Sequence, residues 1–104
     1  MPLFLRAATC LAVTTTLGCG PSLYVIDSLP ATASVHQARQ AGAAEWAPFE
    51  YWSAQAYLDK ASEEASEGHY DDALRFTHRA REMGERAQER TRERRGSASH
   101  ERSR

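Results

Sequence analysis

Small residues at alternating steps of three and four leave this chain little choice but helices. Tyr51, Ala54, Leu58, Ala61 and Ala65 follow that spacing, and Ala73, Phe76, Ala80, Met83 and Ala87 repeat it after Gly68. A strand needs a period of two, so both segments read as amphipathic α-helices with one apolar stripe each. The few residues between them force an antiparallel return. Alanine in the stripes lets two backbones come close, but each methyl removes little area from water. At about 25 cal/mol per Å2 the larger gains must come from Tyr51, Leu58, Tyr70, Phe76 and Met83. That core is thin, and 104 residues leave room for one domain at most.

Pro48 suits the first turn of the earlier helix, where its missing N–H costs nothing. Gly68 supplies a stop by tolerating a left-handed turn, and Asp71 and Asp72 open the next helix at the positive end of its dipole. A further helix is expected over 33–44, with Val35, Ala38 and Gly42 on one side and an uncertain end at Gly42. Past Arg86 the pattern turns into Arg and Glu, and disorder is expected from Gly96. The fold class is therefore all-α: an antiparallel helical hairpin or a three-helix arrangement. The predicted organisation is a signal peptide over 1–18, a tether over 19–32, a helical domain over 33–95 and a disordered tail over 96–104.

The N-terminus carries the parts of an export signal. Arg6 is followed by an uncharged, mostly apolar run of eleven residues, Ala7–Leu17, shorter than the ~20 needed to span a bilayer. Thr16-Leu17-Gly18-Cys19 then resembles a lipobox, with cleavage between Gly18 and Cys19 and lipidation of the Cys19 thiol. Thr16 and Leu17 depart from the usual pattern. Cleavage after Ala31-Thr32-Ala33, releasing a free periplasmic protein, is an alternative, although Asp27 and Gly20-Pro21 interrupt that longer segment. An uncleaved membrane anchor is another. If Cys19 is acylated and Cys10 leaves with the signal, the mature domain has no cysteine for disulfides or metal. Gly20 stands where an Asp would signal inner-membrane retention, which favours the outer membrane facing the periplasm.

Residues 54–87 resemble one tetratricopeptide unit through Ala54, Ala61, Gly68, Tyr70, Ala73 and Ala80, although Glu64 and Thr77 stand where aromatics are common. A single such unit cannot bury both of its faces. From Ala38 to Ala87 the chain is also similar to a family of short bacterial envelope lipoproteins, catalogued as domain of unknown function 4398. The resemblance rests on Ala47-Pro48, Ala54, Leu58, Ala61, Gly68, Tyr70, Ala73, Ala80 and Ala87. It implies an exported, lipid-anchored helical module and brings no catalytic residues. Some members add a peptidoglycan-binding domain, and no such segment stands here.

No constellation argues for catalysis. His36, His69, His78 and His100 lack metal spacing, and Asp59, Glu63, Glu64 and Glu67 read as a solvated helix face. There is no phosphate loop and no nucleophile elbow. Charge is uneven: eight acids accompany Lys60 between Glu45 and Asp72, whereas ten arginines and five glutamates follow from Arg75. Arg86–Arg95 reads as a solvated helix end, with contact to a membrane or an acidic partner as the alternative; Glu89 and Glu93 dilute its field, and export removes it from nucleic acid. Trp46, Phe49 and Trp52 cluster around Pro48 as either packing against the first helix or a docking patch. The expected function is a non-enzymatic, lipid-anchored helical adaptor. It would hold membrane lipid through Cys19 and an envelope protein through the aromatic cluster or hairpin, without cofactor, metal or nucleic acid. A self-associating structural component of the envelope is the alternative.

Overall fold

The computed structural model describes residues 19–104, so the expected signal segment, Gly18 included, lies outside the described residues. Four helices follow one another: α1 (Cys19–Gln40), α2 (Ala43–Trp46), α3 (Pro48–Ser66) and α4 (Tyr70–Arg102). Among the described residues there is no strand. The all-α expectation holds, with three long helices.

Turn chemistry divides them. Gly42 (φ 89°) and Gly68 (φ 81°) take the left-handed conformation that ends a helix without a Cβ clash. At Gly68 the His69 N–H bonds the Glu64 carbonyl at 2.9 Å and the Gly68 N–H bonds the Ala65 carbonyl at 3.1 Å, a Schellman closure. Pro48 sits in the first turn of α3, as its missing donor dictates.

α4 is the spine. Glu50 meets Arg90, Tyr57 stacks on Phe76, and Arg94 reaches the Trp46 carbonyl, so α3 runs antiparallel to α4. Gly20 lies against Tyr70, Asp27 against His78, and Arg95 donates to the Ala41 carbonyl, so α1 runs parallel to α4 on another side. α1 and α3 touch each other far less than either touches α4. Ala73, Thr77, Ala80, Gly84, Ala87 and Thr91 are the buried positions of α4, in steps of four and three. That repeat of 3.5 is the one that keeps a seam facing its neighbours along a left-handed supercoil.

The sequence placed Phe76 and Met83 at the centre of this stripe, and both are only half-buried. With helices on two sides, the deepest arc of α4 faces the space between them, and only small residues fit there. Thr77 and Thr91 bury their hydroxyls by donating back to the Ala73 and Ala87 carbonyls at 2.8 and 2.7 Å. Gly84 marks the closest approach: a Cβ there would stand 2.7 Å from Ser34 Oγ and 3.2 Å from the Val35 backbone nitrogen. Around it Gln88 donates to the Ser34 carbonyl at 2.9 Å.

Two expected boundaries are corrected. Residues 19–32 are helical rather than a tether: α1 begins at Cys19 and runs without a break into the stretch that buries Ala31, Ser34, Val35 and Ala38. The helix runs through Pro30 despite the lost N–H and the clash with the Ile26 carbonyl. Residues 96–102, expected as disordered, continue α4; Gly96 has nothing near it and no positive φ.

Gly84→Val should therefore lower the unfolding free energy by about 1–3 kcal/mol through overpacking. Gly96→Ala should raise it, by about 1 kcal/mol at most. Chemical denaturation followed by circular dichroism measures both, and equal effects at the two glycines would contradict the close contact of α1 with α4.

Candidate functional site

Three aromatic residues around Pro48 part company in the structure. Trp46 is half-buried at the end of α2, with its indole beside Gly42. Phe49 and Trp52 point outward from α3, 73 % and 60 % exposed. Trp52 leans edge-on against Tyr51, with ring centroids 4.9 Å apart. Tyr51 takes the interior position, and its hydroxyl accepts from Gln55 Nε2 at 3.2 Å. The cluster of the sequence is thus one half-buried residue and two exposed ones. Neither Phe49 nor Trp52 is buried against α1.

Phe49 belongs to a groove that α3 and α4 form together. One part, ≈ 560 Å3, is lined by Phe49, Glu50, Met83, Arg86, Glu89, Arg90 and Glu93. The other, ≈ 290 Å3, adds Ser53, Tyr57, Arg79 and Glu82. Phe49, Met83 and Arg86 line both, so the two parts are continuous. Phe49, Met83 and Tyr57 are its apolar lining among alternating Arg and Glu, and Ser34 and Gln88 of the α1 contact are not among the lining residues. Such a surface suits a peptide or helix with one apolar anchor and mixed charges. The 3.5-residue stripe alone did not reveal it, because the groove lies outside that stripe.

The arginine run has work inside the fold. Arg86 pairs with Glu82 at 2.8 Å and Arg90 with Glu50 at 3.4 Å. Arg94 and Arg95 donate to the carbonyls of Trp46 and Ala41, at the ends of α2 and α1. Guanidinium groups there satisfy orphan carbonyls and oppose the negative ends of the helix dipoles.

At the other end, Glu64, Glu67 and His69 converge around the Gly68 turn. His69 Nδ1 lies 3.0 Å from Glu64 and 3.5 Å from Glu67, and Lys60 Nζ lies 2.9 Å from Glu64. The ammonium already compensates the Glu64 carboxylate, so this is an ion network that closes α3. Lys60, and after it His69, hold the Glu64 carboxyl below the usual carboxylate range, while Glu64 and Glu63 raise Lys60. The sequence spacing of the histidines concealed the cluster, because it depends on the left-handed turn at Gly68. Cys19, the expected lipidation site, is the first residue of α1. Among the described residues no helix is long and apolar enough to cross a membrane.

Two predictions follow from these placements. Tyr51→Ala should cost about 3 kcal/mol or more of stability, whereas Phe49→Ala should stay within about 0.5 kcal/mol; denaturant titration of each variant decides. For the Lys60–Glu64 pair, the lowered Glu64 value gives stability present at neutral pH and lost as pH falls through it. The raised Lys60 value gives stability lost as pH rises through it. Wild type should therefore melt above Glu64→Gln near neutrality, and the gap should close in acid and again in strong alkali. A gap that grows in acid would exclude the pair as its cause.

A family model described as a domain of unknown function (DUF4398) matches residues 30–102. No curated protein and no solved structure matches the chain. The match takes in the packed part of α1, the α2 link and the complete α3–α4 hairpin, more than half of the 104 residues. The chain therefore belongs to the family of domain of unknown function 4398.

Proposed function

We propose that this protein is a lipid-anchored helical adaptor of the bacterial cell envelope, held to a membrane through acylated Cys19 and binding a protein partner along the α3–α4 groove. The observation that carries the binding half is the groove itself. Phe49 is exposed on its rim although the core of this chain is built almost wholly of alanine. A large aromatic side chain left outside so thin a core adds contact area that the fold does not use. The rim alternates Arg and Glu, which gives orientation to a charged peptide more than affinity.

The anchor half is supported by sequence. Thr16-Leu17-Gly18-Cys19 ends an apolar run too short to span a bilayer, and Cys19 precedes the family-matched region by eleven positions. Two or three acyl chains on one cysteine hold a protein durably, where one would not. Sorting to the outer membrane, facing the periplasm, is the reading that Gly20 favours. The α3–α4 hairpin is where the tetratricopeptide resemblance falls, and α1 covers one of its faces. The reading is of a binding rather than a catalytic role, in keeping with a groove in which Arg86 and Arg90 are engaged by Glu82 and Glu50.

Radiolabelled palmitate should enter the wild-type chain and not Cys19→Ala. Equal labelling of the two ends the anchor reading. In the same cells, a photocrosslinking residue at position 49 should join a second envelope protein, while one at position 36, on the outer face of α1, should not. Adducts with another copy of this chain would favour the self-associating structural reading instead.

A further inference from the structure

α1 carries two outer faces in succession. From Thr32 onward the exposed residues are small or polar: Thr32, Ala33, His36, Gln37, Arg39 and Gln40. Between Ser22 and Pro30 they are apolar, with Leu23, Val25, Ile26 and Leu29 between 51 % and 67 % exposed. In that stretch the single charged side chain, Asp27, is only half-exposed and turned toward His78 at 3.6 Å. Four large aliphatic residues in water on one short strip are costly for a domain whose own core buries mostly alanine.

We infer that this strip, Leu23 to Leu29 on the outer side of α1, is a surface for the lipid–water interface that seats the domain directly on the membrane. The inference rests on the proposed retention of Cys19 at the membrane, whether by acylation or by an uncut leader. Acylation at Cys19 puts fatty chains four residues from Leu23. An uncut leader would put the apolar run Ala7–Leu17 there instead. The absence of a flexible tether matters as much, because α1 is helical from Cys19 and locked to α4 by Ala31, Val35 and Ala38. Whatever enters the membrane at Cys19 brings the strip down with it.

Depth follows from Pro30. Its missing N–H leaves the Ile26 carbonyl without its helical partner. A bare carbonyl is expensive in hydrocarbon and cheap where water reaches. The strip therefore belongs among the headgroups and uppermost acyl carbons, as an interfacial helix lies. Along its length the strip runs beside the first turns of α4, where Asp27 meets His78 and Arg75 and Arg79 pair with Asp72 and Glu82, so the charges next to it are already matched within the fold.

The test uses the full chain as purified from membranes and reconstituted in phosphatidylcholine vesicles with brominated upper acyl carbons. Ile26→Trp and, separately, Leu29→Trp should lose most of the new emission and shift it to the blue. His36→Trp, on the polar half of α1, should not respond. The native Trp46 and Trp52 serve as an unquenched reference, since Ile26 lies about 20 Å along α1 from its end. An unquenched residue 26 or 29 in a protein that keeps its native helicity overturns the inference. So does a blue shift that needs no lipid and grows with protein concentration, which would mean that a second copy covers the strip. The mass of the N-terminal peptide reads acylation separately, so failure of the anchor and failure of the strip are distinguishable.

Discussion

The contact of Gly84 with the Ser34–Val35 backbone is the constraint around which the other helices arrange themselves. A helix with a partner on each of two sides must present small residues over a wide arc, and α4 does so with three alanines, two threonines and one glycine. Close approach then replaces bulk as the source of cohesion: dispersion between near backbones and aligned small side chains takes the role that leucine fills in an ordinary bundle. The threonine hydroxyls would spoil such a seam if left bare. They are satisfied within α4 itself, so they make no demand on the neighbouring helix.

A consequence is that the interior has no room for anything but its own packing. Val35, Thr77 and Thr91 are the largest side chains buried outright, apart from the slightly more exposed Tyr51. Function in a chain built this way lies on outer faces, and two such faces carry apolar residues that the fold leaves uncovered. They differ in kind. The groove is concave, mixed in charge and made by two helices; the strip on α1 is convex, apolar and confined to the helix's first half.

The hairpin was legible in the sequence because its two stripes keep one period and Gly68 and Pro48 have conformational roles that few other residues fill. The length of α1 was not. Pro30 and Gly20-Pro21 argue locally for a tether, and they are overridden by burial of Ala31, Val35 and Ala38 against a helix fifty residues away in sequence. The same long-range contact hid the importance of Gly84, which in a lone hairpin would be only a weak helix former. Aromatic residues were read as one cluster because they are near in sequence; a change from α2 to α3 between Trp46 and Pro48 sends them in different directions. The run of arginines read as a solvated helix end, whereas Arg94 and Arg95 close two helix termini that the sequence had not placed beside it.

Those arginines give the bundle two unlike ends. At the far end the carbonyls of Trp46 and Ala41 are capped by guanidinium groups from α4, so α1 and α2 are tied to the spine where they finish. At the near end, where α1 begins, no side chain from Gly20 to Pro30 is fully buried, and the contacts to α4 include Gly20 beneath the Tyr70 ring and Asp27 beside His78. Pro30 weakens the helix between these two regions by removing one backbone bond. Stability in α1 should therefore rise along its length, lowest beside Cys19 and highest at Val35 and Ala38.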